Sequence, residues 1–180
     1  MTGTERKKYI IGLLLYLIAF SPLYALDGYL GVGLGQSEIN QGFFGEYGDG
    51  FKIFGGVQPH PNLAVEAAYL DFGSPSENLF GVETQYEAWA TAVWAKGIWP
   101  VVSKIELFGK AGWAYWEIDR TTTLFGLPPS KVTASGNDFT WGIGASFNYW
   151  DNFSFQLEYE DINSDIDTIT LWSISALYKF

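Results

Sequence analysis

The chain has 180 residues, no cysteine and a formal net charge of −10. That length suits one domain. The lack of cysteine excludes disulfides, thiolate metal sites and thiol nucleophiles, and the acidic balance excludes general nucleic-acid binding, which needs a basic surface.

Arg6, Lys7 and Lys8 precede an apolar stretch from Tyr9 to Phe20, followed by Ser21, Pro22 and Leu23-Tyr24-Ala25. This basic, apolar and small-residue order predicts a secretory signal peptide over 1–25, cleaved after Ala25. The apolar stretch is short of the roughly 20 residues that a helical membrane span needs, and Pro22 interrupts it. Residues 26–180 then form the mature domain, with a charge of −12.

From Asp27 onward there is no helical periodicity of useful length. Segments of roughly ten residues alternate with period two and are separated by turn chemistry. Eight are predicted: 27–37, 49–58, 62–72, 83–97, 103–118, 138–149, 152–161 and 167–180. In the first, Gly31, Gly33 and Gly35 bear a superficial likeness to a dinucleotide fingerprint. That motif must open a helix, whereas here Gln36-Ser37-Glu38 leads into a glycine-rich loop, so they are read as small lumen-facing residues. On the fourth segment two apolar series compete, Tyr86 to Lys96 and Trp89 to Trp99. On the sixth, Phe139, Trp141, Ile143, Ala145 and Phe147 alternate with Thr140, Gly142, Gly144, Ser146 and Asn148. On the seventh, Phe153, Phe155, Leu157 and Tyr159 alternate with Ser154, Gln156, Glu158 and Glu160. The last sets Thr170, Trp172, Ile174, Ala176, Tyr178 and Phe180 against Leu171, Ser173, Ser175, Leu177 and Lys179.

The connections at Pro59-His60-Pro61, Trp99-Pro100 and Trp150-Asp151 are short, those over 38–48, 73–82 and 119–137 are long, and 162–166 is brief. An even strand number, with short turns at one end and longer loops at the other, predicts an all-β fold: an eight-stranded antiparallel up-and-down transmembrane β-barrel. A soluble barrel would turn its greasy face inward. Here the other face is mostly Gly, Ala, Ser, Thr and opposite charges, which suits a narrow lumen. Trp99, Trp113, Trp116, Tyr149, Trp150 and Tyr178 cluster near strand ends as interfacial girdles would. Closure also leaves no unpaired backbone edge in lipid.

The chain resembles the small eight-stranded barrels of the outer-membrane protein A type, over nearly all of 26–180. The resemblance is carried by Gly28-Tyr-Leu-Gly-Val-Gly-Leu-Gly35, Phe54-Gly-Gly-Val57, Val65-Glu-Ala-Ala-Tyr-Leu-Asp-Phe-Gly73, Leu107-Phe-Gly-Lys-Ala-Gly-Trp113, Leu157-Glu-Tyr-Glu160 and the terminal Tyr178-Lys-Phe180. It implies outer-membrane location in a Gram-negative envelope, and an assembly signal at Tyr178 and Phe180 for the barrel-assembly machinery. It further implies a lumen charge network in which Glu66 and Lys96 are paired and Lys110 and Glu158 point inward. Two departures stand out. Gln156 and Ser146 replace an arginine–glutamate pair of the family, and Gly33 replaces a first-strand lysine. The family's peptidoglycan-binding domain is absent from these 180 residues.

Glu66, Lys96, Glu106, Lys110, Glu158 and Lys179 are therefore placed inside. Lys96 is set inward because an unpaired lysine facing lipid is costly unless it snorkels. An eight-stranded lumen is about wide enough for side chains to fill, so these charges read as a structural plug rather than an ion path. The single histidine, His60, lies between two prolines in a short turn with no serine nearby, which argues against a lipid A-modifying enzyme and for a turn residue. No metal site or cofactor is expected. Glu38, Glu46, Asp49, Glu77, Glu83, Glu117, Asp119, Asp138, Asp161, Asp165 and Asp167 fall in or beside the outer loops, opposed there by Arg120 and Lys131. They read as a solvated acidic surface facing lipopolysaccharide and an extracellular partner. The expected function is that of a structural or surface-interaction barrel; the alternatives are a narrow porin-like pore and the lipid A enzyme.

Overall fold

A computed structural model describes residues 27–180 apart from 42–43, 75, 80–81, 125–129 and 164–167. The signal peptide expected over 1–25, and Asp165 and Asp167, lie outside the described residues. The strands are β1 (Asp27–Gln41), β2 (Phe44–His60), β3 (Leu63–Asp71), β4 (Ser76–Leu79), β5 (Val82–Val102), β6 (Ile105–Leu124), β7 (Ser130–Trp150), β8 (Phe153–Asn163) and β9 (Thr168–Lys179). Each wall strand pairs antiparallel with its neighbours, and β1 pairs with β9 from Tyr29↔Lys179 to Asn40↔Thr168, which closes the barrel. Eight strands form the wall. The ninth, β4, pairs only with Val82–Gln85 at the outer end of β5.

The period-two alternation of the sequence becomes the two faces of the wall. On β8 the even-numbered Ser154, Gln156, Glu158, Glu160 and Ile162 are buried inside, while Phe155 and Leu157 are exposed outside. On β5 the even series holds: Ala88, Ala90, Ala92, Trp94, Lys96 and Ile98 are buried, and Val93 and Trp99 face out. The competing apolar series on this strand has a simple cause. Trp94 is apolar yet inward, so hydrophobicity alone does not distinguish the faces. An outward aromatic row runs from Phe51 through Tyr69 and Trp89 to Tyr115, with ring centroids 5.7–6.1 Å apart, and resumes at Trp141, Tyr159 and Trp172. Trp99, Tyr149, Trp150 and Tyr178 are exposed at the end that carries the short turns, as interfacial aromatics should be.

Several expectations are corrected. Trp116 is not a girdle residue: it is 4% exposed, faces the interior and donates its indole N–H to Asp138 Oδ2 at 2.5 Å. The turn expected at Trp99-Pro100 falls at Ser103-Lys104, with a register shift between Pro100 and Val102. The segments 38–48 and 119–137, expected as loops, are largely strand: β1 and β2 pair out to Gln41↔Phe44, and β6 and β7 out to Thr122↔Ser130. On β7 the polar sequence carries no alternation over Ser130 to Ser135 because neither face is buried there. Ser130 to Ser135 are all exposed, so nothing selects apolar residues at every second position. With 21 residues each, β5 and β7 span about 70 Å at roughly 3.4 Å per residue. A lipid-exposed band needs only about 9–11 tilted residues, so the outer halves of β5, β6 and β7 stand clear of it as a blade.

Candidate functional site: the charged layer of the lumen

Three lysines and three glutamates meet in mid-barrel. Lys52 comes from β2, Glu66 from β3, Lys96 from β5, Lys110 from β6, and Glu158 and Glu160 from β8; the exposure of each side chain is 3% or less. Lys110 Nζ is the hub, 2.8 Å from Glu66 Oε1, 2.6 Å from Glu158 Oε1 and 2.7 Å from Glu160 Oε1. Lys96 Nζ reaches Glu66 Oε2 at 2.7 Å, and the Tyr29 hydroxyl donates to the same oxygen at 2.8 Å. Lys52 pairs with Glu158 and, at 3.0 Å, with Glu160. The six charges sum to zero, which such burial requires, because an unpaired ion inside costs several kcal/mol.

Aromatic faces complete the cation shells. Lys110 Nζ lies 3.6 Å from the Trp94 ring centre, and Lys96 Nζ lies 4.1 Å from that of Phe108. A desolvated cation over such a ring gains about 2 kcal/mol. The charged layer is sandwiched. On the side of the short turns lie Tyr29, Ile98, Phe108 and Leu177; on the outer side lie Leu70, Phe72, Ala114, Trp116, Ile118, Ile162, Ile169 and Leu171, all buried. This apolar outer half departs from the small, polar lumen that the sequence suggests.

Of the residues singled out in the sequence, Glu66, Lys96, Lys110 and Glu158 come together in this layer. Glu106 and Lys179 do not; they stand at the mouth nearest the short turns, partly exposed and 3.9 Å apart, beside a cavity of about 20 Å³ that Lys96, Ser146 and Gln156 also line. That is room for about one water. Lys52 and Glu160 join the layer without having been singled out. Both were legible by parity: Phe51 and Ile53 are outward, so Lys52 is inward, and Glu160 shares the even face of Glu158. The turn expected at Pro59-His60-Pro61 falls at Pro61-Asn62, and His60 is exposed as the last residue of β2, where its Nδ1 accepts the Asn62 amide at 3.2 Å. Among the described residues no cluster of His, Asp and Glu is arranged to hold a metal ion.

Residues 12–180 match the family model of the outer membrane protein beta-barrel domain, and the chain belongs to that family. No curated protein matches the sequence. Among solved structures, the attachment invasion locus protein Ail of Yersinia pestis, crystallised with the heparin analogue sucrose octasulfate, superposes with a TM-score of 0.63 at 16% identity, over 86% of this chain and 99% of Ail. Neisserial surface protein A gives a TM-score of 0.66 at 13% identity, over 85% of this chain and 97% of its own. OprG of Pseudomonas aeruginosa gives 0.65 at 10% identity, over 87% and 96%. At these identities the likeness is one of fold: small barrels of the outer membrane.

Proposed function

We propose that this member of the outer-membrane barrel family is a non-conducting, non-enzymatic surface-interaction protein. An N-terminal signal carries it across the inner membrane, and Tyr178 and Phe180 present it to the barrel-assembly machinery. The observation that carries the reading is the neutral layer of Lys52, Glu66, Lys96, Lys110, Glu158 and Glu160, each ion paired within the protein and held between two apolar layers. An ion crossing there must break ion pairs held inside the barrel, which costs several kcal/mol. The position of His60, exposed at the end of β2 with an amide as its partner, supports the absence of lipid A chemistry.

What remains available for function is the outer surface, where lipopolysaccharide and an extracellular partner are met. Ail was captured with a polyanion. Here the exposed Lys131 is already paired with Asp119 at 3.0 Å, and Glu87 stands opposite Asp119 on the next strand, so a polyanion is disfavoured and a cationic or neutral polypeptide is the fitting partner. Planar-bilayer recordings of the refolded protein test the plug. No discrete conductance steps are expected, and steady unitary currents would replace this reading with that of a narrow pore.

A further inference from the structure

The blade formed by the outer halves of β5, β6 and β7 has two unlike faces. Its ladders run unshifted from the lumen out to Thr122↔Ser130, so parity assigns each side chain to a face. Odd-numbered positions hold Glu87, Asp119 and Lys131, and Lys131 is paired with Asp119 at 3.0 Å. Even-numbered positions continue the face of the lumen. They form the row Ala88–Ile118–Ala134 and, one step further out, the row Tyr86–Arg120–Val132. Ala88 and Ile118 belong to the buried apolar outer half of the lumen, and Tyr86 packs against it. Beyond them the face opens: Val132 is 62% exposed, and Arg120 and Ala134 are exposed. The Arg120 guanidinium lies over the Tyr86 ring, 5.7 Å from its centroid. Among the described residues no carboxylate pairs with it. The acid on this face of the blade, Asp138, is held by the Trp116 indole. Stacking on a ring orients the planar guanidinium and leaves the N–H groups at its edge free for a ligand.

We infer that the lumen-side face of the blade, centred on Tyr86, Arg120 and Val132, is a docking surface for an extracellular polypeptide, neutral overall, that sets one carboxylate among apolar side chains. The inference rests on the surface-interaction reading above and names the face that carries it. Charge selects the occupant. Arg120 is the one cation on this face among the described residues of the blade, and its fork matches a carboxylate through two parallel hydrogen bonds. Lys131 stands on the other face and is already paired, so a polyanion finds no second cation here. Composition supports the same choice. Arginine and tyrosine are among the residues that dominate interface energetics when apolar neighbours exclude water around them. Val132, Ala134 and Ile118 supply that surround, and the hydroxyls of Thr122 and Ser130 lie at its outer rim. A second copy docked face to face by a two-fold axis would set Arg120 against Arg120, with no acid to separate them.

The test uses the refolded full barrel in zwitterionic nanodiscs, labelled at the methyl groups of alanine, isoleucine, valine and threonine. The probe is a capped pentapeptide of serine, leucine, glutamate, leucine and serine. Its glutamine counterpart and sucrose octasulfate, a polyanion, are the controls. The glutamate peptide should bind at least about tenfold more tightly than the glutamine peptide. It should shift the methyl signals of Ile118, Val132 and Ala134 and leave those of Thr121 and Thr133 in place. Arg120→Gln should remove the tenfold preference. Arg120→Lys should restore only part of it, because an ammonium lacks the fork. Val132→Ser should weaken both peptides. The heat-modifiable band on SDS gels reports that each variant is folded. Equal binding of the two peptides, shifts confined to Thr121 and Thr133, or no shift up to ~10 mM peptide each overturn the inference. Tighter binding of the octasulfate through Arg120 would make this a polyanion site and overturns it too. None of these outcomes alters bilayer conductance, so the plugged-lumen reading stands or falls separately.

Discussion

Gly33 on β1 lies opposite Lys52 on β2, and a Cβ placed on Gly33 would come 3.2 Å from Lys52 Cγ and 2.3 Å from Ser175 Oγ. The strand next to Gly33 supplies a cation to the lumen, and the glycine leaves room for its stem. The atoms in the way belong to side chains, and the serine hydroxyl can turn aside. Gly112 is different. Its Cβ would sit 1.9 Å from the Val93 carbonyl oxygen, which is backbone. Gly33→Ala should therefore cost about 1 kcal/mol, and Gly112→Ala about 3 kcal/mol, the two ends of the overpacking range. Urea unfolding from lipid vesicles measures both; equal costs would show that Ser175 and Lys52 cannot yield.

The wall was legible because a barrel in lipid imposes opposite demands on alternate residues. Phe155 and Leu157 against Gln156 and Glu158 declare both faces at once. The same rule reaches the charged layer, and Lys52 and Glu160 follow from it as readily as Lys110. Illegible was whatever leaves that two-sided environment. Glu106 and Lys179 obey the parity of the lumen yet sit at its mouth, since parity fixes the face and not the depth. Trp116 is an aromatic near the level where girdles form, but its indole N–H has Asp138 inside, and an isolated tryptophan does not reveal its face. The outer part of β7 was read as loop because both faces of Ser130 to Ser135 meet water and the alternation vanishes.

Phe180 is bonded to the closing seam: its N–H donates to the Gly28 carbonyl at 2.9 Å, and its carbonyl accepts the Gly28 N–H at 3.1 Å. Its ring remains 46% exposed. Replacement by Asp keeps the backbone pair and removes the ring. Phe180→Asp should lower the outer-membrane level several-fold while leaving secretion across the inner membrane intact. Cell fractionation with pulse-chase labelling separates the two, and normal membrane levels would deny Phe180 a part in assembly.

The bond between Trp116 and Asp138 ties the root of the blade to the apolar outer half of the lumen. A hydrogen bond to a charged group contributes about 1.5–3 kcal/mol. Trp116→Phe keeps most of the ring and loses the donor. Amide exchange in Ser130–Phe139 should then accelerate, while exchange on β1, β8 and β9 near the charged layer stays unchanged. Uniform acceleration around the barrel would mean that Trp116 acts through general packing instead.

The two inner lysines that touch Glu66 should not be equivalent. Lys110 faces three carboxylates, whereas Lys96 faces Glu66 alone and lies beside the small cavity at the mouth. Lys110→Met leaves Lys52 and Lys96 to balance three glutamates far from water. Breaking a buried pair typically costs about 3–5 kcal/mol, and this variant should reach the upper end. Lys96→Met should fall near the lower end, because Lys110 still holds Glu66 and water can approach from the cavity. Adding Glu66→Gln to Lys96→Met removes the surplus negative charge and should recover part of the loss. The recovery will be incomplete, since Glu66 also serves Lys110 and accepts the Tyr29 hydroxyl. A double-mutant cycle in urea isolates the coupling. A cycle in which the two costs simply add would show that Glu66 and Lys96 do not meet in the membrane.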